Sequence, residues 1–111
     1  MKEPVKLLLV FVNETDTWRG TPLYHAILQR LRQLHVSGAT ALAGLQGFGH
    51  HHRLHMKGLF GISDDRPVTI FVVVEDARLR SVIPEIRQMV QEGVMVLVDA
   101  ELAGDLGPRQ T

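Results

Sequence analysis

Two stretches of this chain, residues 5–12 and 68–75, are apolar at successive positions instead of alternate ones, and few folds can absorb that. Both are rich in branched and aromatic side chains and short enough to be strands. Successive side chains of a strand point to opposite faces. In the second stretch Val68, Ile70, Val72 and Val74 therefore share one face, and Phe71 and Val73 the other. In the first, Val5, Leu7, Leu9 and Phe11 oppose Leu8, Val10 and Val12. An antiparallel sheet covered on one side alternates apolar with polar residues. Here both faces ask for cover, and large bare apolar patches are rare on soluble monomers. Self-association through the sheet is the simplest expectation.

Between and after these strands lie two helical patterns. Thr21-Pro22 suits an N-cap followed by proline in the first turn, where its missing N–H costs nothing. Leu23, Ile27, Leu28, Leu31 and Leu34 then form one apolar stripe, and Gly38 is a fitting stop. A second stripe, Leu79, Val82, Ile83, Ile86, Met89 and Val90, follows a possible cap at Asp76 and closes at Gly93. Pro84 within it predicts either a kink or a helix beginning near Arg80. Residues 39–45 and 94–100 complete the set as a small-residue strand and a final apolar one. The order βαββαβ is the split, ferredoxin-like arrangement: α+β, a four-stranded antiparallel sheet with both helices on one face. Its central strands are the first and third, the two most continuously apolar.

With 111 residues there is room for one domain, expected over residues 1–102, with a mobile tail over 103–111. Twelve basic and twelve acidic side chains balance, so no nucleic-acid footprint is expected. The absence of cysteine removes disulfides, thiolate metal sites and a thiol nucleophile. The apolar run at 5–12 is too short to span a membrane, and no signal-peptide pattern accompanies it, so a cytoplasmic protein without membrane insertion is expected. Ser37, Ser63 and Ser81 lie in no nucleophile motif, and no paired acids stand on rigid elements, so no enzyme is expected.

The chemistry concentrates after Gly47-Phe48-Gly49, where periodicity is lost until residue 67. Loops of that length inside a compact domain are usually functional. Four of the six histidines stand in His50-His51-His52-Arg53-Leu54-His55. His50, His52 and His55 are candidate ligands for a divalent metal, since imidazole is a common zinc ligand. No carboxylate or cysteine nearby completes a set, and a solvated loop is the plainer alternative. Arg53, Lys57 and Arg66 bias the loop positive, as phosphate or carboxylate ligands would require, and Arg19 and Trp18 sit in the first loop. Trp18 has two readings, a stacking surface for a planar ligand or an aromatic folded onto the subunit.

Gly20-Thr21-Pro22-Leu23-Tyr24, Gly38-Ala39-Thr40 and Gly47-Phe48-Gly49, in this order on this strand plan, resemble the bacterial PII-like family called domain of unknown function 190, over roughly residues 5–102. Residues 38–49 are also similar to the second strand of PII signalling proteins. The resemblance implies a homotrimer with its sheets facing inward, and a nucleotide or small anion bound between subunits. It further implies a loop that reports the ligand to a partner protein, such as a membrane channel or transporter. On this reading Thr40, Gly47, Phe48, Gly49, His51 and Arg53 border the ligand. A metal-binding PII-like protein using residues 50–55 is the alternative. Two features depart from the PII pattern. Only Gln91-Glu92-Gly93 joins the second helix to the last strand, where PII proteins carry a glycine-rich phosphate cradle. The modifiable loop tyrosine is missing as well, because the one tyrosine is Tyr24.

Overall fold

The computed structural model describes residues 4–48 and 65–104. The chain runs β1 (Val5–Asn13), β2 (Thr17–Trp18), β3 (Thr21–Pro22), α1 (Leu23–Gln33) and β4 (Gly38–Ala43). It continues through β5 (Pro67–Glu75), a 3-10 turn at Asp76–Arg78, α2 (Leu79–Arg87) and β6 (Val94–Ala100). One antiparallel sheet has the strand order β4-β5-β1-β6, with the two most apolar strands in the centre as expected. The pair β2 and β3 forms a separate two-residue ribbon ahead of α1.

Strand register assigns every side chain a face. Leu8 pairs with Val72, Val10 with Ile70 and Val12 with Val68, and all six are buried. They meet Leu23, Ala26, Ile27 and Leu31 of α1, Val82 and Ile86 of α2, and Met89 and Val90 beyond it. This is the core, and it contains no buried polar residue among the described ones. Burying each such side chain contributes about 1.5–3 kcal/mol, so the sheet–helix layer supplies most of the stabilisation.

On the opposite face Leu9 lies across from Phe71 and from Val96, Phe11 across from Val94, and Leu7 across from Val73 and Val98. Among the described residues nothing covers this face: Phe11 and Phe71 are each 38% exposed, and Val94, Val96 and Val98 are all exposed. The sheet is therefore apolar on both sides, as the two continuous runs require.

Several element ends differ from the sequence reading. Thr21 does not cap α1. Thr21 and Pro22 pair with Trp18 and Thr17, and Pro22, in extended conformation, occupies the cap position without a side-chain bond. Gly38 does not stop α1 either. The helix ends at Gln33, and His35 takes the left-handed backbone (φ 60°) that glycine would have supplied, leaving Gly38 to open β4. The β4 strand is 38–43 instead of 39–45, because its pairing with β5 ends at Ala43 opposite Val68.

Asp76 starts a 3-10 turn and makes no cap bond. Regular helix begins at Leu79, so the exposed Pro84 falls in its second turn, consistent with the later of the two expected starts. Gly93 stands well past the end of α2. A Cβ there would lie 2.4 Å from the Phe11 carbonyl oxygen and 2.7 Å from Val90 Cγ1. Close approach to β1, and not helix termination, is what demands glycine at this position.

Candidate ligand cleft

Where β1 ends and β5 begins, the open apolar face runs into a cleft of about 570 Å³. Its floor is Phe11, Thr69, Phe71 and Val94, side chains that alternation directs to the outer face. One wall is Leu42 at the end of β4, followed by Gly44 and Gln46–Phe48. The remaining walls come from Asn13 and Asp16, from Asp65 and Pro67, and from Glu92 with Gly93. A volume of this size falls within the 300–1,000 Å³ of small-molecule sites, which pair apolar walls with a few polar groups.

Local hydrogen bonds set the walls. The Asn13 amide donates to Asp16 Oδ2 (2.9 Å), closing a tight turn at the end of β1, and the Leu23 amide donates to the Asp16 carbonyl (2.8 Å). That turn is joined to the start of β5 through the Glu14 amide and the Arg66 carbonyl (2.8 Å), and through the Thr15 hydroxyl, which donates to Asp65 Oδ1 (2.8 Å). The Gly44 amide donates to the Pro67 carbonyl (2.7 Å). A Cβ on Gly44 would lie 3.1 Å from the Pro67 ring, and one on Gly47 3.4 Å from it. Both glycines thus let the chain after β4 lie against Pro67.

Of the three cations expected to bias this region positive, Arg53 and Lys57 lie outside the described residues. Arg66 does not face the cleft. Its guanidinium forms a two-pronged bond to Glu14, Nε to Oε1 and Nη2 to Oε2, both 2.9 Å. These hydrogen bonds hold the Glu14 carboxyl below its ordinary range and raise Arg66. Arg19 lies over the Trp18 ring, 4.8 Å from its centre, and Trp18 packs against the core, so the indole serves the subunit. Among the described residues no lysine, arginine or histidine lines the cleft, whereas Asp16, Asp65 and Glu92 do.

Of the ligand-binding residues expected from sequence, Gly47 and Phe48 line the cleft. Thr40 lies on the same sheet face, opposite Phe71, but two positions up β4 from Leu42 and outside the lining. Gly49, His51 and Arg53 lie outside the described residues, as do the candidate metal ligands His50, His52 and His55 and the tail from residue 105. Among the described residues no three histidine, aspartate or glutamate side chains are grouped to hold a metal. The aromatic floor and Glu92 were not singled out as site residues, although the double apolar runs and the short Gln91-Glu92-Gly93 link were the signals for them.

Among the described residues no helix is long and apolar enough to cross a membrane. The chain is similar to a UPF0166 protein of Aquifex aeolicus, 27% identical over 97 residues, covering 87% of this chain and 91% of that one. A UPF0166 protein of Methanocaldococcus jannaschii is 26% identical over 98 residues, covering 87% and 90%. Among solved structures it resembles CPII of Thiomonas intermedia K12 bound to ADP, AMP and acetate, with a TM-score of 0.65 at 17% identity over 92% of this chain and 91% of that one. The PII-like, ferredoxin-like fold is therefore shared with a PII protein. The model of family DUF190, described as Uncharacterized ACR, matches residues 5–102, and to that family this chain belongs.

Proposed function

We propose that this protein is a PII-like regulatory subunit that binds a nucleotide or another small anion in the cleft at the end of its sheet. The same reading makes it a trimer, with each cleft at a boundary between subunits, and lets the stretch between Phe48 and Asp65 carry the ligand state to a partner such as a membrane channel or transporter. The observation that carries the reading is the 570 Å³ cleft opening from an apolar sheet face that the described residues leave bare. A face of this kind is buried when copies associate, and its edge is where a cleft becomes enclosed. Support for the ligand class comes from the fold shared with CPII, whose solved structure holds ADP, AMP and acetate.

Calorimetric titration of tag-free protein with ADP and AMP tests the proposal. Saturable binding near one site per subunit is expected, and Phe71→Ala, which removes a floor ring, should weaken it by roughly tenfold, the lower part of the range for base stacking on an aromatic. Saturable zinc binding without any nucleotide binding would replace this reading with a metal-handling one based on His50, His52 and His55.

A further inference from the structure

We infer that neighbouring subunits join edge to edge, β4 of one copy pairing antiparallel with β6 of the next, so that each cleft is completed by the next copy's strand. This contact rests on the assembly reading above and gives it a register and a place in the site.

Main-chain parity fixes what each edge offers. Along an antiparallel pair, residues alternate between bonded and non-bonded, and a bonded residue turns both its N–H and its C=O to the same neighbour. The Gly44 amide donates to the Pro67 carbonyl, so Leu42 and Thr40 also bond to β5. Ala39, Ala41 and Ala43 therefore direct their N–H and C=O groups away from the sheet. The Asp76 amide donates to the Pro4 carbonyl (3.1 Å), so the even-numbered residues of β1 bond to β5 and the odd-numbered ones to β6. On β6 this leaves Met95, Leu97 and Asp99 with their backbone groups directed outward. Among the described residues no strand lies beside either edge. Soluble proteins guard such edges with lysine, proline or a bulge. Neither Gly38–Ala43 nor Val94–Ala100 contains lysine or proline, and both pair with their inner neighbours in unbroken register.

The two edges fit each other. β4 and β6 run in opposite directions, so copies set side by side in the same orientation bring them together antiparallel. A register with Ala39, Ala41 and Ala43 opposite the partner's Asp99, the partner's Leu97 and the partner's Met95 satisfies every outward residue of both strands. On the helix side it sets large side chains against small ones, the partner's Leu97 against Ala41 and the partner's Met95 against Ala43. On the outer face the partner's Val96 meets Leu42, and the partner's Val98 meets Thr40.

Leu97 gives an independent sign. It lies on the helix side, opposite Leu8, yet is 44% exposed, so association through the outer face alone would leave it in water. Leu42, 54% exposed at the other edge, is covered by the same contact. Leu42 and Gly44 are also cleft wall, and the partner's Val96 and the partner's Val94 come to stand beside them. Because the two edges differ, the contact is head to tail and closes into a ring with the apolar outer faces turned inward.

The chain has no cysteine, which gives disulfide trapping a clean background. Thr40→Cys combined with Val98→Cys places two thiols in a non-hydrogen-bonded pair, their Cα atoms about 4.5 Å apart across the contact. Within one subunit these positions are three strand spacings apart, about 14 Å, too far for an internal bridge. Mild oxidation should convert the monomer band of a non-reducing gel into a covalent trimer. Thr40→Cys with Val94→Cys, displaced by about 13 Å along the strand, should leave that band unchanged. In the wild type, hydrogen exchange at Ala39, Ala41, Ala43, Met95, Leu97 and Asp99 should be slowed by about a hundredfold or more relative to open chain. A trimer by light scattering in which neither double variant cross-links and these amides exchange as in open chain would overturn the inference while leaving the assembly reading intact. Oxidation of Leu97→Cys alone into dimers would overturn it in favour of a two-fold contact between β6 strands. A protein that stays monomeric would sink the assembly reading itself, and the edge contact with it.

Discussion

Gly93 shows how one missing methyl group holds two parts of the molecule in place. Any other residue would push a Cβ into the Phe11 carbonyl of β1 and into the buried Val90 side chain beyond α2. Gly93→Ala should cost about 1–3 kcal/mol, the range for forcing an extra carbon into a packed site, and thermal denaturation would register it as a lowered midpoint. The Glu14–Arg66 fork is a second local device, and its sign can be worked out. Because Arg66 lowers the Glu14 carboxyl below 4.5, its contribution is present above that pH and disappears as acid carries the pH through the lowered value. Glu14→Gln should therefore lose stability relative to wild type at neutral pH, with the gap closing as the pH falls through the lowered value. Chemical denaturation at several pH values would reveal this convergence. Neither device was legible from sequence. A glycine near a helix end reads as a stop by default, and the partner of Glu14 lies 52 residues away.

At the scale of elements, hydrophobic period decided most of what could be read. The helices bury most of the stripes assigned to them, with Met89 and Val90 buried beyond the end of α2, and the two continuous runs form the central strands, because burial energy follows periodicity closely. The ends failed where backbone pairing competed with local preference. Thr21-Pro22 carries the composition of a helix start, yet its pairing with Thr17–Trp18 claims it for a ribbon. The cleft was half legible for a related reason. Gly47 and Phe48 announced themselves by composition, whereas Phe11 and Phe71 read as ordinary strand residues until the register placed them side by side. Pro84 offers a test at this scale. It lies inside α2, where no N–H is available to bond the preceding turn, and its side chain is exposed. Pro84→Ala should stabilise the protein by about 1 kcal/mol, less than the full proline penalty because the freer unfolded chain offsets part of the gain. An increase in the urea midpoint at unchanged slope would confirm it.

For the molecule as a whole, the outer sheet face dictates behaviour in solution. Leu7, Leu9, Phe11, Phe71, Val96 and Val98 form a continuous apolar surface across three strands. Val96→Asp places a charge near its middle, where burial without a partner costs several kcal/mol. Light scattering coupled to size exclusion should report three subunits for the wild type and one for the variant. A wild type that stays monomeric at micromolar concentration would remove the basis for a cleft shared between subunits.

The β4–β5 hairpin carries one more consequence. Ala43 pairs with Val68, Gly44 is bonded to Pro67, and residues 65 and 66 are tied to the first turn of the chain. The two ends of the intervening stretch are thus anchored by bonds between described residues on either side of it. Closing a longer chain between fixed posts costs only about 0.6 kcal/mol for each doubling of its length. The subunit is in effect a mount with an exchangeable insert. Changing the length of that stretch should therefore leave the midpoint of thermal denaturation nearly unchanged.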